Sequence, residues 1–377
     1  MADASPKSPD NWRPQYMFAA CQCGAEPALK RELAVGAPNL RLAYSRPGFV
    51  TLKLPAPCES PHTATLPSAF ARTFGFSLAT VRNDRMQSLV ADVWAAAEVH
   101  TLFEHALPAD VQVWQRDVLL PGEDDFEPGP TALAVAAEEM LRAAAPVPAL
   151  QRASDSGHFS PRSRTACWPG GVPPVELPEH AVSRAYLKMA EALAWSDLPM
   201  SRGEHIVELG CAPGGASQAL LDAGLLVTGV DPAEVDPAVL QHPRFNHVRA
   251  RAAKAPKRLL DGAHWLAADM NVAPKYTLDV VESIVGRKKS AIQGMILTLK
   301  LADWSLVDSL PECIARVRSW GYRDVRLRQL AFNRREICLA ALRSRSQRRV
   351  YRPPARAVRR DRAHASIPAP HHEAPPE

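Results

Sequence analysis

The strongest chemical signal in the sequence is Glu208-Leu209-Gly210-Cys211-Ala212-Pro213-Gly214-Gly215. It follows an apolar run, His205–Leu209, that reads as a strand, and it opens a helical stretch, Gly214–Ala223. Small residues let a backbone pass close to a ligand, and Pro213 pre-sets the turn. A dinucleotide loop would space its glycines as GxGxxG against a pyrophosphate. The spacing here is ExGxxPGG, which argues for S-adenosylmethionine, a nucleoside with no phosphate to cradle. Asp231 closes the next strand, Leu225–Val230, about twenty residues on, where a carboxylate can hold ribose hydroxyls. The candidate cofactor residues are therefore Glu208, Gly210, Cys211, Ala212, Pro213, Gly214, Gly215, Asp231 and Asp269. A Gly-rich structural turn with a capping aspartate is the bland alternative. Strand, loop, helix, strand and Asp in that order is hard to obtain by accident.

A second set is dispersed along the chain: Lys188, Asp269, Lys300 and Glu336. Asp269 ends the strand His264–Ala268, and Lys300 ends the strand Met295–Leu299. Both stand at carboxyl ends of expected parallel strands, the edge where open α/β sheets bind ligands. Lys188 lies on the helix before the sheet, and Glu336 begins the last strand. Singly, a helical lysine is a solvated cation and an Asp after a strand is a turn residue. Lys300 is less easily dismissed, because a lysine closing an apolar strand is costly to bury without partners. Together they suit methyl transfer to a hydroxyl, a weak nucleophile that must be aligned and must lose its proton. Lys300 is then the base or hydroxyl-orienter, with a pKa lowered by cationic neighbours, and Asp269, Lys188 and Glu336 support it.

The elements that must position these groups alternate strand and helix from Ser201 onward. Strands are expected at His205–Leu209, Leu225–Val230, His264–Ala268 and Gly294–Leu299, and helices at Gly214–Ala223, Tyr276–Arg287 and Ser305–Trp320. A terminal pair, Tyr322–Leu330 and Ile337–Leu342, closes the unit. This grammar predicts a Rossmann-like methyltransferase sheet with a terminal antiparallel strand pair. Before it, Tyr16–Leu54 reads as a strand–helix–strand unit of a small α+β domain, followed by helices at Leu89–Ala106 and Thr131–Ala145. The expected division is a polar N-terminus at 1–15, an α+β domain at 16–150 and a linker at 151–178. The Rossmann-like domain takes 179–342, and 343–377 forms an Arg/Pro-rich tail.

Composition narrows the function class. The chain has 377 residues, is 46% hydrophobic and contains no run of about eighteen apolar residues, so no membrane span is expected. Its seven cysteines are scattered without a CxxC pair, which argues against a metal site or a disulfide framework and for a reducing cytoplasm. The net charge of +5 is unevenly placed: the last 35 residues hold nine arginines against three carboxylates, and the rest is nearly neutral. Such a tail is either a solubilising extension or an arm that grips phosphates without reading sequence. A monomer is the expected state.

The ExGxxPGG loop, Ala268-Asp269-Met270, Leu299-Lys300-Leu301 and Arg335-Glu336 resemble the FtsJ-like 2′-O-ribose RNA methyltransferases, whose catalytic set is Lys-Asp-Lys-Glu. Ser183-Arg184-Ala185-Tyr186-Leu187-Lys188 is similar to a Ser-Arg-x-x-Leu-Lys segment of the type that methylates a cytidine ribose in 23S ribosomal RNA. The stretch Gly24–Leu33 resembles the opening of that type's RNA-binding region, which carries a THUMP module. The resemblance implies S-adenosylmethionine as cofactor, RNA as partner, and Lys188, Asp269, Lys300 and Glu336 as the catalytic residues. Three places depart from it: Glu208 replaces the usual Asp of the first loop and keeps the carboxylate, Ala216 stands where the family often has Trp, and Arg249-Ala250-Arg251 follows the third strand, where an acid often meets the adenine. The alternatives are a 2′-O-methyltransferase of another RNA such as transfer RNA, a non-catalytic RNA-binding or assembly factor, and a small-molecule O-methyltransferase.

Overall fold

A strand that is apolar on both faces must be covered on both faces, and the region from His205 to Lys300 holds several. The computed structural model describes residues 14–58, 64–99, 111–145, 168–256, 262–288 and 290–344. The readings for the extreme N-terminus, most of the linker and nearly all of the Arg/Pro-rich tail lie outside the described residues.

The larger unit is a seven-stranded sheet in the order β10-β11-β9-β8-β5-β6-β7. Its strands are β5 (His205–Leu209), β6 (Leu226–Val230), β7 (Phe245–Val248), β8 (Trp265–Ala268), β9 (Gly294–Lys300), β10 (Asp324–Arg328) and β11 (Glu336–Leu342). β5 to β9 are mutually parallel, and β11 lies antiparallel between β9 and β10. Alternate residues enter opposite cores, as strand geometry requires. Leu266, Ala268, Met295 and Leu297 pack on one side, while Trp265, Ala267 and Ile296 pack on the other. The covering helices are α4 (Ala185–Ser196), α5 (Gly215–Asp222), α6 (Pro237–Leu240), α7 (Pro274–Val285) and α8 (Leu310–Ser319). Helix α7 starts with proline at its first position and presents Leu278, Val281 and Ile284 inward at helical spacing. This is the expected doubly wound architecture with its terminal antiparallel pair.

The smaller unit is a four-stranded antiparallel sheet in the order β2-β3-β1-β4, built from β1 (Tyr16–Ala20), β2 (Arg41–Arg46), β3 (Phe49–Lys53) and β4 (Thr73–Phe76). Helix α1 (Glu26–Gly36) buries Ala28, Leu29 and Leu33. Helices α2 (Met86–Val99) and α3 (Ala132–Ala143) follow. Glu26 accepts the amide of Gly48 at 2.5 Å, tying the helix start to the β2–β3 turn.

The two units share a core. Leu29, Leu33 and Phe70 of the first form one apolar cluster with Leu301, Val307, Leu310 and Ile337 of the second. Arg31 Nε donates to Asp308 at 2.7 Å and Gln329 N to the Ala69 carbonyl at 2.6 Å. The N-terminal unit is thus docked beside the outer ends of β9 and β11.

Boundaries moved where packing overrode pattern. Tyr322 does not begin β10; it is fully buried in the preceding turn, its hydroxyl donating to the Ile292 carbonyl at 2.9 Å. The stretch Ser305–Trp320 divides into a 3-10 turn, Trp304–Ser309, and α8. Among the described residues, no helix is long and apolar enough to cross a membrane.

Candidate active site

Register aligns the strand ends. Leu209 pairs with both Val230 and Ala268, so Gly210, Asp231 and Asp269 emerge side by side at one edge of the sheet. The ladder runs one step further: Gly210 N donates to Val230 O at 2.9 Å and Asp269 N to Leu209 O at 3.0 Å. Gly210 has φ +82°, and a Cβ there would lie 2.7 Å from the Asp269 carbonyl oxygen, so only glycine lets β5 and β8 close in this way. A Cβ on Gly215 would lie 2.2 Å from Ser183 Oγ. That close packing seats the start of α4, and with it Lys188, against the loop. The sequence suggested that small residues here make room for a ligand. At Gly210 and Gly215 the space a side chain would take is filled by the protein itself.

β9 extends three residues beyond its last pairing with β8, Ala268 with Leu297, and there Lys300 pairs across the ladder with Glu336. Lys300 Nζ donates to Glu336 Oε1 at 2.6 Å and lies 2.7 Å from Asp269 Oδ1. Lys188 Nζ donates to Glu336 Oε2 at 2.7 Å. All four predicted residues therefore meet in one chain of alternating charge, Lys188, Glu336, Lys300 and Asp269. Their side chains are 12% to 26% exposed, shielded from bulk water yet reachable.

One electrostatic expectation is reversed. The sequence suggested a lysine of lowered pKa, but Lys300 is held above its ordinary value. Burial pulls it down, and the charges and hydrogen bonds of Asp269 and Glu336 more than offset that pull. Lys300 rests as an ammonium, hydrogen-bonded to Glu336 and ion-paired with Asp269.

The loop residues differ in what they can touch. Asp231, half-buried, accepts Ala212 N at 3.2 Å on Oδ2 and Ala233 N at 2.8 Å on Oδ1. Each oxygen keeps a further acceptor position. Those acceptor positions suit the ribose hydroxyls of a nucleoside, so the edge fits S-adenosylmethionine at Asp231. Glu208 is wholly buried and accepts the Ser217 hydroxyl, anchoring α5. Cys211 is buried as well, and burial pushes its thiol up, so it is a packing group and no nucleophile. Pro213 takes the Asp236 amide on its carbonyl at 2.9 Å, and Gly214 packs on Val239. Where the family often has an acid after the third strand, Arg249 turns back to Glu234 at 3.3 Å. Among the described residues, no group of three His, Cys, Asp or Glu could hold a metal ion.

Burial raises the Glu208 carboxyl to about 8, while the Ser217 hydrogen bond opposes the rise. The sign follows from linkage. Between the ordinary value of about 4.5 and about 8, the folded chain holds a proton that the unfolded chain has released, so stability falls with rising pH. Glu208→Gln should remove this component, flattening stability between pH 5 and 8 by up to about 1.4 kcal/mol per pH unit. Denaturant unfolding across that range checks it, and parallel wild-type and variant curves would refute it.

Sequence reading missed Glu191, which follows Lys188 on α4 and is completely buried. It accepts Ala331 N at 2.8 Å and Phe332 N at 3.1 Å, fixing the β10–β11 turn that delivers Glu336. An acid on an otherwise apolar helix face, three residues from Lys188, was the available signal. Glu191→Ala leaves the buried Ala331 amide and the part-buried Phe332 amide unpaired, a cost of about 1–4 kcal/mol. A melting temperature within a degree of wild type would contradict this.

Comparison with known proteins bears on residues around this site. Residues 181–310 match the FtsJ-like methyltransferase family. A ribosomal RNA large subunit methyltransferase M of Halorhodospira halophila is 32% identical over 187 residues, covering 48% of this chain and 53% of the relative. The same-named protein of Xylella fastidiosa is 32% identical over 186 residues, covering 47% and 52%. The chain thus spans about half the length of the curated relatives it matches. A fibrillarin pre-rRNA processing protein from Methanococcus jannaschii overlaps 38% of the chain and 68% of its own length, with 13% identity and a TM-score of 0.32, too low to bear on fold or reaction.

Proposed function

We propose, on the premise that residues 181–310 form an FtsJ-like methyltransferase domain, that this chain transfers a methyl group from S-adenosylmethionine to a ribose 2′-hydroxyl of RNA. In its finest form the reading is a cytidine of 23S ribosomal RNA. The single observation that carries it is the contact chain Lys188–Glu336–Lys300–Asp269 at the edge that also bears Asp231 and the Gly210–Gly215 loop. The N-terminal unit within 16–150 is assigned to RNA binding, and the arginine-rich tail to phosphate contact.

When bound, S-adenosylmethionine supplies an electrophilic methyl on a cationic sulfur. Asp231 holds ribose hydroxyls with the acceptor positions its two amide contacts leave open. Lys300 donates one N–H to Glu336 and is ion-paired with Asp269, which leaves it a donor for an incoming hydroxyl oxygen. This fixes the nucleophile's position before reaction, which is where much of the acceleration of a two-substrate displacement arises. To take the hydroxyl proton, Lys300 must first release its own to solvent. Its two carboxylates oppose that release, so the rate should rise with pH. Lys188 keeps Glu336 turned toward Lys300 by occupying its other oxygen.

The test is a map of 2′-O-methylation across total RNA from cells with and without the protein. Loss of a discrete ribosomal RNA position in the deletion supports the reading. An identical map overturns it.

A further inference from the structure

Beside Lys300 lies a cavity of about 520 Å³, built by residues from both units. Gln22 and Cys23, on the loop after β1, contribute to its lining, as do Leu120 and Pro121. Trp304, Arg335, Lys300 and Glu336 also line it. The volume is within the range of small-molecule sites.

Two features of the lining bear on what the cavity could hold, and the first has no partner among the described residues. Gln22 is 3% exposed, yet its Oε1 has no hydrogen-bond partner among the described residues. A buried amide oxygen left unpaired is costly, and such groups are rare where no ligand completes them. Trp304 is half-buried, braced edge-on by Phe70 at 5.8 Å and by the Arg335 guanidinium at 6.0 Å. An indole held in this way is a ready stacking surface.

We propose that this cavity receives the base of the RNA nucleotide being modified, turned out of its stack, and that the Gln22 amide reads its hydrogen-bonding edge. The inference rests on the function proposed above. The base is carried on C1′, the neighbour of the carbon bearing the 2′-hydroxyl. A ribose hydroxyl at Lys300 therefore brings its base to the same cavity. Enzymes that act on extruded nucleotides combine an aromatic or apolar wall with polar groups that meet the base edge. Trp304 supplies the wall, which tolerates any base. Gln22 supplies the discrimination, because an amide left unmatched by the wrong base stays unpaired. The N-terminal unit thereby contributes a specificity-determining residue to a site otherwise made by the methyltransferase sheet.

The experiment uses the full chain, labelled S-adenosylmethionine and four RNA transcripts: one with the mapped target nucleotide and three with that nucleotide replaced by each other base. Gln22→Leu should lower kcat/KM about 10- to 100-fold on the target transcript and less than about threefold on the others, so the preference collapses. Trp304→Ala should lower all four alike. Melting temperature and calorimetric affinity for S-adenosylmethionine report on folding. If Gln22→Leu does not fold, the near-isosteric Gln22→Glu decides, and it should reorder the base preference. An unchanged ratio among the four transcripts in the folded variant overturns the inference alone. A wild-type protein that methylates no RNA overturns the proposed function as well.

Discussion

Lys300→Ala is expected to lower the rate of methyl transfer about a thousandfold while leaving the affinity for S-adenosylmethionine within about threefold. The first number follows from losing both the donor that aligns the hydroxyl and the group that takes its proton. The second follows from geometry, since the Gly210–Gly215 loop and Asp231 make their hydrogen bonds without Lys300. The substitution also leaves Asp269 and Glu336 with no ammonium between them. Lys300→Arg separates two roles. An arginine keeps the positive charge but is not deprotonated in proteins. If Lys300 acts as base, Arg is as poor as Ala; a substantially active Arg variant would restrict Lys300 to orienting the hydroxyl. Single-turnover rates and calorimetric titration measure both quantities.

Glu336→Gln carries the second largest effect. Glu336 is the only described residue bonded to both lysines, through Oε1 to Lys300 and Oε2 to Lys188. Neutralising it removes one of the two carboxylates that hold the Lys300 proton. The Lys300 pKa should fall, and the alkaline rise of the rate should move to lower pH. The plateau should drop about 10- to 100-fold, because a neutral amide holds the Lys300 amine less firmly in place than the carboxylate does. A pH–rate profile whose midpoint does not move would mean that the limb belongs to another group.

Much of this site could be read from the sequence because strand ends carry chemistry in an open α/β sheet. Asp231, Asp269 and Lys300 each follow an apolar strand, and the parallel register alone places them on one edge. Glu336 was legible as the start of the closing strand. What sequence could not give was the pairing of Glu336 with Lys300, which depends on β11 inserting between β9 and β10. The sign of the lysine shift was misread for the same reason. Sequence spacing shows two lysines and two acids, but only the fold shows both acids touching one lysine. The short edge strand β4 was invisible because Thr73–Phe76 lacks a buried run. The cavity walls from Gln22 and Pro121 have no motif at all, since docking of the two units creates them.

The central claim is that the four-residue cluster drives methylation of a ribose hydroxyl. It is tested most directly by incubating the purified chain with methyl-labelled S-adenosylmethionine and ribosomal RNA, digesting the product and identifying the labelled nucleoside. The account predicts label on a 2′-O-methylribose, absent with Lys300→Ala. Label on a base, or equal labelling by the Lys300→Ala variant, would contradict it.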